Sequence, residues 1–149
     1  NLIIETFFGT VSSKKIVILG FAFKSNTNDT RYSPAINIVR DLLENGANIY
    51  IHDPQVSENQ VSMILDDKDR KMDKNIGDWK FTGDLKMACK EADALVLLTE
   101  WEEYLKLDWS ELSDLMRKPS WLFDARGIVD ESLFKGLTLN LWKVGKGFL

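Results

Sequence analysis

Short apolar runs alternate along the chain with segments in which apolar residues recur at helical spacing. The run KIVILGFA is continuous and rich in β-branched residues, which is typical of a strand buried on both faces of a parallel sheet. Ser33 and Pro34 then begin a predicted helix, as an N-cap and a proline at the first helical position, and this helix is expected to end at Gly46. The run NIYIHDP predicts a second strand, and the crossover makes the two strands parallel.

The same alternation continues to the end of the chain. Residues 2–8 predict the end of a helix, and the charged segment 66–78 is expected to form a loop or a frayed helix. The whole pattern predicts one α/β domain with a Rossmann-like, three-layer, doubly wound and mostly parallel sheet. Further strands are expected in WKFTG, DALVLLTE, WLFDA and LTLNLWKVG, and further helices in DLKMACKEA and LDWSELSDLMR.

Composition and charge narrow the classes of function. The 149 residues carry a formal net charge of −4, so no overall positive field favours nucleic acid or an anionic membrane, and an anion site must be local. Cys89 and His52 are the single cysteine and the single histidine, which excludes an internal disulfide and leaves too few soft ligands for zinc. The apolar stretches are short and the first residues lack the features of a signal peptide, so we expect a cytoplasmic protein without a membrane segment.

The loop after the first predicted strand, GFAFKSNTNDTR, does not carry a dinucleotide fingerprint. That fingerprint needs three glycines, so that the backbone can approach a pyrophosphate at the start of the next helix. Ala22 and Ser25 stand at the second and third glycine positions. Asp53 lies where such folds place an acidic residue that holds a ribose, but an Asp-Pro turn that ends the strand is the simpler interpretation.

The same loop is long and polar, and it lies at the predicted carboxyl edge of the sheet, where open α/β sheets bind their ligands. Lys24 offers a compact positive charge for a phosphate, and Arg31 offers a planar fork for a phosphate or a carboxylate. The alternative is a local role for the loop, in which Asn26 and Asp29 form turns, a hydroxyl group caps the next helix and both cations face solvent.

A second group of polar residues follows the predicted strand WLFDA. Arg126 and Gly127 come directly after this strand, and a glycine permits backbone bends that other residues avoid. We expect Arg126 to lie at the same sheet edge as Lys24, so that two strand ends present cations together. The alternative is a surface ion pair between Asp124 and Arg126, worth about 0 to 1 kcal/mol.

Three further side chains are expected to have packing roles. Trp101, in the segment TEWEEY, is large enough to line a pocket, but packing over a loop is the simpler interpretation. His52 is interpreted as a side chain on a face of the sheet. Cys89 lies among apolar neighbours without a histidine nearby in sequence, which predicts a buried, inert thiol.

Together the segments GFAFKSNTNDTRYSPA, IHDP, TEWEEY and FDARGIVD resemble the nucleotide-sugar dehydrogenases, and among these most closely the UDP-glucose 6-dehydrogenases. The resemblance covers nearly the whole chain in the expected order. It implies that residues 1–13 are the end of a central linking helix and that residues 14–149 are a C-terminal domain that binds the UDP part of a substrate. The NAD-binding domain and the catalytic cysteine would belong to a longer protein.

In this family an NAD-dependent oxidation in two steps converts the C6 alcohol of UDP-glucose into the carboxylate of UDP-glucuronate, through a thioester. The resemblance therefore implies a nucleotide-sugar partner and a full-length homo-oligomer, and it implies no nucleic-acid or membrane partner. A sister dehydrogenase that acts on UDP-N-acetylmannosamine or GDP-mannose stays open as an alternative. So does a module that binds a nucleotide sugar without catalysis.

The resemblance also implies roles for individual residues. Arg31 is expected to face NAD from the opposite lobe, and Arg126 is expected to bind the substrate. Tyr32 and Gly127 depart from the family pattern, which usually has an acidic residue after the first arginine and asparagine or arginine after the second. The other residues expected to contact the sugar and diphosphate, or to close over them, are Phe23, Lys24, Ser25, Asn26, Thr27, Asn28, Asp29 and Thr30.

Overall fold

A computed structural model of the chain describes residues 2–7, 9–66 and 76–149, so most of the charged segment, residues 67–75, lies outside the described part. Seven strands in the described residues form one sheet. These strands are β1 (Lys15–Leu19), β2 (Asn48–His52), β3 (Trp79–Phe81), β4 (Ala94–Leu97), β5 (Ser120–Asp124), β6 (Leu139–Lys143) and β7 (Gly147–Phe148).

The strand order is β3-β2-β1-β4-β5-β6-β7, which is the doubly wound order with one added edge strand. All neighbouring pairs are parallel except β6 and β7, which are antiparallel. Because the chain moves outward from β1 first to one side and then to the other, right-handed crossovers place helices on both faces of the sheet. The predicted α/β class with a Rossmann-like, mostly parallel sheet is therefore confirmed.

The helices of the described residues begin and end with local signals. Ser33 caps the helix at 34–44 through a hydrogen bond from the Ala35 N–H, with proline at the first position as expected. Asp84 and Asp108 cap two later helices in the same way. The helices are α1 (Leu2–Thr6), α2 (Pro34–Glu44), α3 (Glu58–Leu65), α4 (Leu85–Cys89), α5 (Glu102–Leu105) and α6 (Trp109–Leu115), and a 3-10 turn spans Glu131–Phe134.

The core lies on both sides of the two central strands. Four successive residues of β1, 16–19, are fully buried, and β4 is buried along its whole length. Such continuous burial explains why these strands read as unbroken apolar runs rather than as alternating ones. No helix within the described residues has both the length and the apolar character needed to cross a bilayer.

Four elements were not expected from the sequence. They are α3, the short helix α5, the 3-10 turn at Glu131–Phe134, and β7, whose pairing with β6 makes the sheet mixed at that edge. The strands and helices that the apolar pattern predicted are all present, with boundaries a few residues shorter than the quoted segments.

Candidate functional site

The crevice between the carboxyl ends of β1 and β4 is the switch point of this sheet, because the chain leaves these two neighbours in opposite directions. Two loops border the crevice, residues 20–33 after β1 and residues 98–101 after β4. A third loop, residues 125–130, follows β5, which pairs with β4. The loops that the sequence singled out therefore meet at one edge of the sheet.

Asp53 ties the first two of these loops to the end of β2. Its Oδ2 accepts hydrogen bonds from the N–H groups of Phe21 and Ala22, at 2.8 and 2.9 Å, and from the indole N–H of Trp101 at 3.1 Å. Its Oδ1 accepts the N–H groups of residues 55–56. Both oxygens are thus occupied, and the carboxylate is buried, so the turn interpretation is confirmed and Asp53 is not free to hold a ribose.

Gly20, the single glycine of the loop after β1, is required by a close approach between two loops. Its φ of +101° is a conformation that favours glycine, and a Cβ at this position would overlap the side chain of Thr99. Thr99 in turn donates a hydrogen bond of 2.9 Å to the carbonyl of Ala22. The glycine therefore serves contact between protein segments, whereas the glycines of a dinucleotide fingerprint serve contact with a pyrophosphate.

Internal hydrogen bonds give the 20–33 loop a defined shape. The N–H of Phe23 donates to the carbonyl of Asp29 at 2.7 Å and closes the loop at its base. Thr27 Oγ1 accepts the N–H of Asp29 at 3.0 Å, and Asn26 has a positive φ of 63°. Arg31 donates to the Asp29 carboxylate through its side chain and its backbone N–H, and these bonds hold the pKa of Asp29 below its ordinary value.

The polar tip of this loop remains open to solvent. The ring of Phe23 is 42% exposed, Lys24 is exposed, and the Arg31 side chain is 81% exposed. The local alternative is confirmed for the helix cap at Ser33 and for the turn at Asp29. These bonds use the loop's own backbone and leave the cations accessible, so they are compatible with ligand binding.

Arg126 pairs with Glu100 and not with Asp124. Its Nη2 lies 2.6 Å from Oε2 of Glu100, while Oε1 of the same carboxylate accepts the N–H of Ser25 at 3.0 Å. Burial alone would raise the pKa of Glu100, but the N–H of Ser25, the backbone N–H of Glu100 itself and the Arg126 guanidinium together outweigh burial and lower it. Glu100 thus connects the loops after β1, β4 and β5.

The alternative of a surface pair between Asp124 and Arg126 is wrong, because the Asp124 carboxylate is fully buried. It accepts the backbone N–H groups of Arg126 and Gly127 through Oδ1, at 3.1 and 2.8 Å, and that of Val129 through Oδ2 at 2.9 Å. Gly127 has a φ of +72°, as a tight turn at this point requires. Asp124 therefore shapes the turn from which the Arg126 side chain extends.

The expected packing roles are confirmed. Trp101 is 6% exposed. His52 is buried, its Nδ1 lies 2.9 Å from the hydroxyl of Tyr104, and burial lowers the pKa of its ring. Cys89 is fully buried, and burial raises the pKa of its thiol to about 12, which removes it from consideration as a nucleophile.

Two residues that contact the predicted site, Glu100 and Gln60, were not expected from the sequence. Glu100 lies in the segment TEWEEY after β4, next to Trp101. Gln60, in the first turn of α3, donates from Nε2 to the carbonyl of Asn28 at 3.0 Å, while its Oε1 accepts the N–H of Ser57 in a capping box. A carboxylate in the loop after a central strand was the available signal for Glu100, and no signal pointed from Gln60 to the loop.

Solved structures of nucleotide-sugar dehydrogenases share this fold. The NDP-N-acetyl-D-galactosaminuronic acid dehydrogenase of Methanosarcina mazei Go1 superposes with a TM-score of 0.70 at 22% identity, over 93% of this chain and 26% of that one. A UDP-glucose dehydrogenase of Pyrobaculum islandicum gives a TM-score of 0.60 at 24% identity, over 83% of this chain and 24% of that one. At these identities the comparison establishes the shared fold.

Sequence comparison establishes the family. UDP-glucose 6-dehydrogenase 1 of Glycine max is 37% identical, and UDP-glucose 6-dehydrogenase 4 of Arabidopsis thaliana is 38% identical, each over 98% of this chain. The chain spans about a third of the length of these curated relatives, 32% in both cases. Residues 17–131 match the family model described as the UDP binding domain of the UDP-glucose/GDP-mannose dehydrogenases. The chain therefore belongs to the UDP-glucose/GDP-mannose dehydrogenase family and corresponds to its UDP binding domain.

Proposed function

We propose that this chain binds the nucleotide part of UDP-glucose at the carboxyl edge of its sheet, as one domain of an NAD-dependent UDP-glucose 6-dehydrogenase. Residues 14–149 would form this domain and residues 1–13 the end of a helix that links it to the rest of a longer protein. The observation that carries the proposal is the junction of the loops after β1, β4 and β5, where Ser25, Glu100 and Arg126 are in contact.

The chemistry of the site suits a nucleoside diphosphate sugar. A diphosphate carries two negative charges, and a chain with a net charge of −4 attracts it only through local cations. Lys24 would supply a point charge to the diphosphate, Arg126 would supply guanidinium donors, and the exposed ring of Phe23 would pack against the sugar. The stretch from Ser25 to Thr30 would close over the ligand.

NAD, when bound, would accept a hydride in each of two steps that take the C6 alcohol to a carboxylate. The loop after β1 lacks the fingerprint and the Asp53 carboxylate is occupied, so the domain that holds NAD would be another part of the longer protein. Arg31 fits a contact with an anionic group of that cofactor, because its guanidinium is exposed at the rim of the site. The thioester cysteine would also lie elsewhere, since Cys89 is buried with a raised pKa.

Titration calorimetry of the chain with UDP-glucose and with UDP tests the binding step. We expect Lys24→Ala and Arg126→Ala each to weaken binding by about tenfold or more, because each removes a charge-assisted contact. Lys90→Ala is the matched control: Lys90 is exposed at the opposite edge of the sheet, where its carbonyl accepts from the first residue of β1. Equal affinity in the wild type, Arg126→Ala and Lys24→Ala would reject the proposed site.

The reaction is tested by NADH formation in the longer protein that contains this chain, with UDP-glucose, UDP-N-acetylmannosamine and GDP-mannose in parallel. Two NADH per UDP-glucose, lost on Arg126→Ala, would support both the reaction and the site. Turnover with another sugar only would assign the protein to a sister branch. Nucleotide-sugar binding without NADH would favour a module without catalysis.

A further inference from the structure

Glu100 joins two loops that the proposed function places around one ligand. Its Oε1 holds the N–H of Ser25 at 3.0 Å, and its Oε2 lies 2.6 Å from Nη2 of Arg126. The two partners are far apart in sequence and belong to loops that follow different strands, β1 and β5. One carboxylate therefore sets the spacing between a backbone segment and a cation.

The local environment makes this contact firmer than an ordinary surface pair. The Glu100 side chain is 27% exposed and that of Arg126 is 37% exposed. The Oε2 atom itself is shielded from solvent and accepts no well-aligned hydrogen bond from the described residues, so its contact with Arg126 is a close ion pair. Shielding of this kind reduces the screening of the pair by water and salt. Glu100 is also fixed at its base, because the preceding residue, Thr99, is hydrogen-bonded to the loop after β1.

Among the residues that the structure describes, the contact leaves part of the Arg126 guanidinium without a partner. Arginine has five N–H donors in a rigid planar fork, and Glu100 is paired with Nη2. An arginine side chain is long, and without a partner it would sample many rotamers, so a ligand would have to order it on binding. Pairing with Glu100 selects one orientation before the ligand arrives.

We propose that Glu100 is a positioning residue for ligand binding: its carboxylate orients Arg126 and holds the Ser25 segment at the distance that a diphosphate needs. This inference rests on the proposed function, because it assumes that Arg126 contacts the ligand. The opposite role is that of a competitor, in which the carboxylate and the diphosphate bind the same guanidinium. The two roles predict opposite changes in affinity when the charge of Glu100 is removed.

The test compares Glu100→Gln with Glu102→Gln, which makes the same chemical change on a side chain that is 82% exposed in the next helix. The amide introduced by Glu100→Gln would keep an acceptor for the Ser25 N–H and lose the charge that holds Arg126. We expect Glu100→Gln to raise the Kd of the chain for UDP-glucose by about 3- to 10-fold, because neighbouring charged groups are usually coupled by a modest interaction energy. Glu102→Gln should change the Kd by less than about twofold.

A double-mutant cycle separates positioning from a general effect on the fold. In the Arg126→Ala background, Glu100→Gln should change the Kd by less than about twofold, because the side chain through which it acts is gone. A loss that persists in full in that background would overturn the inference, as would an unchanged or lower Kd in Glu100→Gln. A lower Kd would identify Glu100 as a competitor of the ligand.

A second readout needs no ligand. In NMR relaxation measurements of the free chain, the Nε–H group of Arg126 should be ordered in the wild type and mobile in Glu100→Gln, with no change in Glu102→Gln. Equal mobility in the wild type and Glu100→Gln would overturn the inference even if the chain binds UDP-glucose. An ordered Arg126 in a chain that fails to bind UDP-glucose would instead reject the proposed function and leave the orienting contact in place.

Discussion

The replacement of Asp53 by asparagine is the most direct test of what holds the loops of this sheet edge together. The two carboxylate oxygens of Asp53 accept five hydrogen bonds at distances from 2.8 to 3.1 Å. Asparagine has nearly the same shape, but it presents an amino group where one of the oxygens was. The substitution therefore changes the hydrogen bonds and leaves the packing volume almost unchanged.

The magnitude follows from the two possible orientations of the amide. With the amino group at the Oδ2 position, the N–H groups of Phe21, Ala22 and Trp101 lose their acceptor, and all three residues are buried. With the amino group at the Oδ1 position, residues 55–56 lose theirs, and Val56 is buried. A buried donor without an acceptor costs about 1 to 3 kcal/mol, and the remaining bonds weaken because the acceptor is no longer charged. We expect a loss of about 3 kcal/mol in the free energy of unfolding.

Urea unfolding followed by tryptophan fluorescence and circular dichroism measures this loss. A domain of this size has a total stability of about 5 to 15 kcal/mol, so the expected change is a large fraction of it. Asp114→Asn is the control, because Asp114 is exposed on α6 and the change there should be within about 0.5 kcal/mol. If Asp53→Asn unfolds within about 1 kcal/mol of the wild type, the reasoning that Asp53 joins the loops is refuted.

Two further predictions concern the same region. Gly20→Ala should lower the free energy of unfolding by about 3 kcal/mol or more, because the new Cβ would overlap Thr99 and because alanine disfavours the positive φ at this position. Gly136→Ala is the control: its φ is +78° but the space around it is open, so the loss should be only about 1 kcal/mol. Equal losses in the two variants, measured by urea unfolding, would contradict the close approach. Burial lowers the pKa of His52, so the folded chain binds a proton at this ring less readily than the unfolded chain. The free energy of unfolding should therefore have its full value above the pKa of the unfolded state, about 6.5, and should decline as the pH falls below it. In a comparison of unfolding free energies between about pH 7 and pH 5, His52→Phe should show a smaller decline than the wild type, and identical declines would rule out this role of the ring.

The sequence could predict most of the sheet because its central strands carry an unambiguous signal. Strands β1 and β4 are buried on both faces, which requires continuous apolar runs, and such runs are visible without any structure. The cap at Ser33 is equally local, since the hydrogen bond spans two residues. By contrast, α3 buries Val61 and Leu65 within eight residues, which leaves a weak periodic signal beside a strongly charged segment.

The sequence was enough to predict where the candidate site lies in the fold, but not which side chains contact one another there. The positions of Lys24 and Arg126 after strands follow from topology, because parallel strands end at one edge of the sheet. The partner of Arg126 does not follow from topology, and the sequence suggested Asp124, two positions away, as an alternative partner. The actual partner, Glu100, is 26 positions away, and the pairing depends on how three loops pack over the strand ends. Long-range pairing of this kind has no periodic signature in a single sequence.

The double contact of Gln60 has a consequence for motion as well as for shape. One amide group completes the first turn of α3 and also holds the carbonyl of Asn28, so neither element can lose its order without releasing a bond of the other. The start of this helix and the tip of the loop should therefore open together in local unfolding, as one cooperative unit. Hydrogen exchange at the first amides of α3 would then report on the loop, and a nucleotide that orders the loop should slow exchange in a helix that it does not touch.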